Sequence, residues 1–212
     1  HSYGKNALLE MGINEELITT ITNVGDTQRF NDLSKKKIPN SLAKKKLNLD
    51  NVCTLLFLGT LDKNKKPNKL IEIMNSIDIK VNVIFLGDGA LYNELKNLNH
   101  KNVLMPGHVK SNIELYLSAS DIVIVPGRAG MNISESLAFG LPVIVHQADG
   151  IEYDLIKNGE NGFIIPDDKI ETYCFFIKEI MNENFEFTND INYNANTMAM
   201  SMANGCKKAL RL

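Results

Sequence analysis

The stretch Asp121-Ile-Val-Ile-Val-Pro126, continued by Gly127-Arg-Ala-Gly-Met-Asn-Ile-Ser-Glu-Ser-Leu-Ala-Phe-Gly140 and Leu141-Pro-Val-Ile-Val-His146, reads as strand, turn, helix and strand. Both strands are apolar throughout, and the helix between them is amphipathic. The glycines place the tightest turn of the chain where a parallel sheet would lead into a helix. At such a point the free backbone N–H groups and the positive end of the helix dipole hold an anion. Ala138, Phe139 and Leu141 supply apolar packing near the end of the helix. Glu135 sits about one turn inside it, within reach of whatever the N-terminus holds. A carboxylate repels a phosphate, so its natural targets are hydroxyl donors such as those of a ribose. The combination suggests a nucleotide ligand.

Around this stretch, apolar runs alternate with helical patterns from about residue 52 to residue 182. Strands are expected over 53–58, 81–86, 102–105, 121–125, 142–145 and 163–165, and helices over 68–75, 91–98, 113–118, 132–139, 152–157 and 170–181. Val, Ile, Leu and Phe fill most of the strands without strict alternation, as in strands covered on both faces. The fold class is therefore α/β, a Rossmann-like α/β/α sandwich with a mostly parallel sheet of about six strands. Ligands of such folds gather beyond the carboxyl ends of the strands. The glycines fall there: Gly59 after the first strand, Gly87 and Gly89 after the second, Gly107 after the third and Gly127 after the fourth. One glycine after a strand is ordinary turn chemistry. Four successive strand ends carrying glycine imply a backbone-lined cleft.

The flanks read differently. Residues 1–30 hold a short helical pattern, an apolar and β-branched run at 17–22, and Gly25-Asp26. Residues 31–50 are polar and lysine-rich, a connecting segment with a helix near 41–47, and the tail 192–212 is a methionine-rich helical pattern interrupted by Gly205. Because the chain begins with His1 instead of Met, a fragment of a longer protein is expected.

With 212 residues, 44% of them hydrophobic, the chain can bury a full α/β core as one domain. A formal charge of −2 gives no global argument for nucleic acid as a partner. The lysine triplets 35–37 and 44–46 read as a solvated helix face, with contact to an anionic membrane surface as the alternative. Cys53, Cys174 and Cys206 are odd in number and widely spaced, so neither a zinc pattern nor a disulfide framework follows. A reducing cytoplasm is the default. No apolar run approaches 18 residues and no signal-peptide pattern is present.

Among single residues, Lys65 follows Gly59 by six positions in a polar loop that opens a helix. It can swing over the strand edge toward a diphosphate, or it is a surface lysine in a loop crowded by Lys63, Lys66 and Lys69. Gly87-Asp88-Gly89 resembles the start of a phosphate-binding glycine loop, but the next glycine of the dinucleotide fingerprint is missing, which disfavours NAD. The alternative is a tight turn with Asp88 capping the following helix. His108, after Gly107, reads as a polar wall residue, not a catalytic base. No Ser/His/Asp or Cys/His set stands out, and Asp167-Asp168 has no third ligand nearby, so metal chemistry has no positive support. Gly127, Arg128, Gly130, Met131 and Asn132 form the strongest candidate set: the glycines let the backbone approach a diphosphate and Arg128 adds charge-assisted hydrogen bonds. The alternative is a tight strand–helix turn with a solvent-facing arginine. Ser134 and Ser136 are expected on the polar face of the helix.

In their order, these motifs resemble the donor-binding half of GT-B glycosyltransferases, most closely the large retaining family four. Tyr3-Gly-Lys-Asn6 through Asp26-Thr-Gln-Arg-Phe30 is similar to the family's interdomain passage. Phe57-Leu-Gly-Thr-Leu-Asp62 with Lys65 is similar to its Gly-Arg-Leu…Lys loop. Leu86-Gly-Asp-Gly-Ala-Leu91, Asn102-Val-Leu-Met-Pro-Gly-His-Val109 and Ala119-Ser-Asp-Ile-Val-Ile-Val-Pro126 follow, then Glu135-Ser-Leu-Ala-Phe-Gly-Leu-Pro142 and Asn158-Gly-Glu-Asn-Gly-Phe163. Each is weak alone; the ordered set, over about residues 3–182, is strong.

The resemblance implies a nucleotide-diphosphate sugar as donor substrate, with no further cofactor, and a glycan or lipid-linked acceptor. By the same analogy Gly59, Thr60, Lys65, Gly87 and Asp88 border the diphosphate, and Lys65 contacts it. The backbone at Val109 reads the base, amides around Gly130, Met131 and Asn132 hold the phosphates, and Glu135 binds the ribose hydroxyls. Two departures stand out: Thr60 replaces an arginine of the family, and Gly127 falls where the first glutamate of its pair stands. Arg128 is the residue positioned to compensate for Thr60. The family places its acceptor site and much of its catalytic apparatus on an N-terminal half, so the catalytic groups are not assigned in this chain. Residues 1–30 then read as the passage from that half and residues 31–212 as the donor domain. The enzyme would be retaining and metal-independent, cytoplasmic or at the inner face of the membrane, with this chain alone an inactive half. Alternatives are an inverting transferase, a nucleotide-sugar epimerase and a non-catalytic nucleotide-sugar-binding module.

Overall fold

The apolar runs form β1 (Cys53–Leu58), β2 (Val81–Leu86), β3 (Val103–Gly107), β4 (Ile122–Val125), β5 (Val143–His146) and β6 (Gly162–Ile165) in the computed structural model, which describes residues 1–182, 184–188 and 194–210. They pair in the order β3-β2-β1-β4-β5-β6, every neighbour parallel. Side chains alternate across the sheet. Leu56, Leu58, Ile84, Leu86, Val123, Val125, Val143 and Val145 enter one core. Leu55, Phe57, Val83, Phe85, Ile122, Ile124, Ile144 and Ile165 enter the other. Two cores explain why the strand sequences are apolar at every position.

Helices α2 (Thr27–Ser34), α3 (Asn40–Lys46), α6 (Ile113–Ala119), α7 (Met131–Phe139) and α8 (Glu152–Leu155) cover the first face. Helices α4 (Asn68–Ser76), α5 (Tyr92–Asn97) and α9 (Ile170–Met181) cover the second. The first helix, α1 (Ser2–Glu10), docks on α8 through Tyr3, whose ring stacks on Tyr153 at 5.8 Å. The residues at 17–22 carry no strand: a short 3-10 turn, Glu15–Leu17, is followed by irregular chain. The last helix, α10 (Ala195–Ala209), runs unbroken through Gly205, where the missing side chain lets Thr19 approach. Of the expected tail, residues 192, 193, 211 and 212 lie outside the described residues.

Strand β3 extends to Gly107, past the expected end at Met105, because an edge strand tolerates Pro106 and its missing N–H. It starts one residue late because Asn102 serves a polar seam: its amide donates to Asn82 Oδ1 at 3.1 Å and to Asp50 at 3.2 Å. In the second lysine triplet Lys45 and Lys46 are exposed, as a solvated face requires, but Lys44 is not. Lys44 has a side chain only 5% exposed, and its Nζ donates to Asp121 Oδ2 at 2.7 Å. In the first triplet Lys35 pairs with Asp32 at 2.6 Å and Lys37 lies 5.6 Å from the centre of the Phe139 ring. Among the described residues no helix is long and apolar enough to cross a membrane.

Candidate functional site

The strand order reverses direction between β1 and β4. At such a point the loops leaving two adjacent strands run to opposite faces of the sheet and leave a crevice at their carboxyl ends. Here β1 runs into Gly59 and the lysine loop, and β4 runs through Pro126 and Gly127 into α7. Gly130 is the N-cap of α7, and no side chain caps the helix. Its first amides therefore open toward the crevice without a side-chain acceptor, together with the positive end of the helix dipole.

The two loops interlock. The Arg128 N–H donates to the Asn64 carbonyl at 2.9 Å. In return, Lys65 Nζ donates to the carbonyls of Arg128 at 2.8 Å and Ala129 at 3.0 Å. The Asn132 amide donates to the Leu58 carbonyl at 3.1 Å, while its Oδ1 is buried without a partner. Asp62 Oδ1 accepts the amides of Asn64 and Lys65 at 2.8 and 3.0 Å, fixing the turn that delivers the lysine. Gly127 is obligatory for this contact, since a Cβ there would collide with the Asn64 carbonyl and the Lys65 backbone. Gly87, at φ +153°, is obligatory too: a side chain would strike the Gly59 carbonyl.

Glu135 lies on the flank of the crevice, facing the passage that precedes α2. A Cβ on Gly25 would sit 2.6 Å from its Cγ and Oε1, so the carboxyl occupies the space the glycine leaves. Its pKa is raised, chiefly by burial; the Asp26 amide and Arg29 pull it down and the Asp26 charge pushes it up again. The neighbouring Ser134 is 1% exposed and accepts the Gly25 N–H at 2.8 Å, while Ser136 is fully buried and donates to the Asn132 carbonyl at 2.6 Å. Neither serine is on a polar face: the passage covers Ser134, and Ser136, about 200° round the helix from it, is buried and satisfied on the helix's own backbone. Pairing of Ser134 with Gly25 spans 109 residues, and only the glycine itself hints at it in sequence.

Gly59, Lys65, Gly127, Arg128, Gly130, Met131 and Asn132 are thus brought to one crevice, with Gly87 backing Gly59. Arg128 and Met131 are exposed at its mouth, and Arg128 makes no ion pair among the described residues. Thr60 and Asp88 are exposed beside it. Asp88 does not cap a helix: its Oδ1 accepts the Gly89 N–H at 2.7 Å, and α5 starts later, with Leu91 as N-cap. Val109 follows β3, two strands away from β1, and is half-buried against the core. His108 is exposed. A separate concavity of about 510 Å³ lies at the opposite edge of the sheet, beside Cys53, Ile122 and Pro142, and shares none of these residues.

Residues 40–198 match the model of the family described as glycosyl transferases group 1. No curated protein matches the chain significantly. Among solved structures it is similar to Anabaena HepE in complex with UDP and glucose, with a TM-score of 0.73 at 20% identity over 96% of this chain and 60% of that one. It is similar to the lipopolysaccharide outer core galactosyltransferase WaaB in its apo form, with a TM-score of 0.74 at 14% identity over 97% of this chain and 59% of that one. A third likeness is to the C-terminal domain of a group 1 glycosyl transferase, LpcC, from Francisella tularensis (TM-score 0.56, 15% identity, 84% of this chain and 96% of that one). The chain spans about three-fifths of the first two and nearly all of the third. At these identities the likeness is one of fold, the Rossmann-like layer of a GT-B glycosyltransferase.

Proposed function

This chain belongs to the glycosyl transferases group 1 family, and we propose that it is the donor-binding part of an enzyme that moves a sugar from a nucleoside diphosphate. The observation that carries the reading is the uncapped N-terminus of α7, set at the point where the strand order reverses and flanked by Lys65 and Arg128. The diphosphate lies against the amides of Gly130, Met131 and Asn132, with Gly59, where a Cβ would meet nothing within 4 Å, giving room for close approach and Gly87 backing it. Arg128 and Lys65 supply the balancing charge, and Glu135 takes the ribose hydroxyls. The base reaches toward the backbone at Val109. Thr60 and Asp88 border the phosphates without charge of the right sign to hold them.

In the transfer itself the bond from the anomeric carbon to the diphosphate oxygen breaks, and the diphosphate leaves with the electron pair. A new bond forms to an acceptor hydroxyl on the face the diphosphate leaves, as retention requires, and the hydroxyl proton passes to the departing diphosphate. Donors aimed at the departing diphosphate stabilise the charge as it develops. We take the reaction as retaining and metal-independent, the acceptor as a glycan or a lipid-linked saccharide, and the acceptor wall as an N-terminal GT-B half. The location is taken as the cytoplasm, at or near the inner face of the membrane.

A thermal-shift panel of UDP, GDP, ADP and dTDP sugars tests the donor site. A ligand at a hundred times its Kd stabilises by about 2.7 kcal/mol. No shift with any nucleotide sugar would remove the reading. A second reading, a non-catalytic nucleotide-sugar-binding module, is favoured by one observation: the place of the family's first glutamate is Gly127, its side-chain space filled by the lysine loop. The same binding with no transfer, even when an acceptor half is supplied, would select it.

A further inference from the structure

We infer that Lys65 is a positioning residue, which holds the β4–α7 loop in the shape that aims the backbone amides before α7 at an anion. The inference deepens the donor-site reading and rests on it for its purpose, although its geometry belongs to the ligand-free protein. Lys65 Nζ spends two of its three N–H groups on the carbonyls of Arg128 and Ala129, at 2.8 and 3.0 Å. In a planar trans peptide the C=O and the following N–H point in opposite directions. Pinning the Ala129 carbonyl to the ammonium therefore turns the Gly130 N–H to the other side of that peptide. Pinning the Arg128 carbonyl does the same for the Ala129 N–H.

The lysine is itself held for this task. Its own N–H donates to Asp62 Oδ1 at 3.0 Å, and the preceding Asn64 carbonyl accepts the Arg128 N–H at 2.9 Å. A Cβ on Gly130 would lie 3.3 Å from Nζ, so the absence of a side chain at residue 130 leaves the ammonium its place. Without the ammonium, two carbonyl oxygens beside the anion site would be left facing each other's dipoles, and the peptides would be free to turn them toward the anion. Lys65 thus shapes the loop with two of its N–H groups and keeps the third, while Arg128, exposed and without an ion pair among the described residues, is the second cation at the mouth of the crevice.

Amide hydrogen exchange on the ligand-free chain tests this, with Lys65→Met, Lys65→Arg and, as a control, Lys63→Met. The Arg128 amide reports the weld directly. Lys65→Met is expected to speed its exchange at least tenfold while the amides of β1 and β2 keep their protection. Lys65→Arg restores most of that protection, and Lys63→Met leaves it unchanged. Unchanged Arg128 protection in Lys65→Met overturns the inference, whatever the variant does to ligand affinity. If Lys65→Met loses the whole fold, Gly130→Val decides, since it keeps the charge and its branched side chain, more than a lone Cβ at 3.3 Å, takes the space of the ammonium. Faster Arg128 exchange in that variant supports the clamp and unchanged exchange rejects it. Calorimetry with inorganic pyrophosphate and UDP completes the set. Failure of the wild-type chain to bind either ligand would sink the donor-site reading, and the exchange result would still decide Lys65.

Discussion

Glu135 is pulled in two directions by its own surroundings. Burial against Gly25 favours the neutral acid, while the Asp26 amide and Arg29 favour the carboxylate, and burial wins. With its pKa in the folded chain raised above the ordinary 4.5, the native state binds the extra proton. Stability contributed by this group is therefore present at low pH and falls as pH rises through the interval from 4.5 to the raised value. Glu135→Gln should flatten that slope, so that the melting temperatures of variant and wild type converge in acid and the variant melts higher near neutrality. Equal slopes from pH 4 to 7 would show that burial does not govern the group. In the proposed function, hydroxyl donors of a ligand satisfy this half-buried carboxylate. Glu135→Ala is accordingly expected to weaken nucleotide-sugar affinity by about 1.5–3 kcal/mol, the value of a hydrogen bond to a charged group. Its chemical denaturation midpoint should change little, and unchanged affinity by calorimetry would take Glu135 out of the site.

At the scale of elements, the site is a weld between the loop after β1 and the loop after β4, and Gly127 is where they touch. Gly127→Ala forces a methyl into the Asn64 carbonyl and the Lys65 backbone. Overpacking of this kind costs about 1–3 kcal/mol, to be read as a lowered urea midpoint at constant slope. A neutral outcome would mean that the loops part easily. The strands, their parallel order and the glycines at their carboxyl ends were legible in sequence because each is a local pattern: a continuous apolar run, then a residue free to turn. What escaped the sequence was non-local. Lys44 looked like one of three solvated lysines, yet it is buried against Asp121, 77 residues away. Ser134 and Ser136 looked polar-faced, yet a hydroxyl is small enough to bury and satisfy on backbone groups, which periodicity does not see. Ser134→Ala leaves the Gly25 N–H without its acceptor, at a cost of about 1–3 kcal/mol. Because that bond ties the passage to α7, the variant should also speed amide exchange at Val24–Thr27 in the intact chain.

At the scale of the molecule, one parallel layer presents one wall of a cleft. The groups proposed to recognise a donor sit along the carboxyl edge of its sheet: interlocked loops, an uncapped helix and an arginine with no ion pair among the described residues. Transfer needs more than this, because an acceptor hydroxyl must be aligned with the anomeric carbon and relieved of its proton. The chain covers 60% of HepE and 59% of WaaB, so in those proteins about two-fifths of the chain lies outside the matched part. The purified 212-residue chain is therefore expected to bind a nucleotide sugar without transferring it. Binding should carry the signature of charge at the mouth of the crevice. Raising ionic strength from about 0.01 to 1 M shortens the screening length from about 30 to 3 Å, so affinity for a nucleoside diphosphate should fall while affinity for the bare nucleoside holds. Arg128→Ala should remove a large part of that salt dependence and leave nucleoside binding untouched, since its side chain is solvent-facing and makes no ion pair among the described residues. An unchanged salt slope in Arg128→Ala would make the arginine a surface residue and leave charge recognition to Lys65 and the amides. Turnover by this chain on a defined glycan or lipid-linked acceptor, followed with radiolabelled donor, would overturn the division of labour and place the acceptor chemistry on this layer.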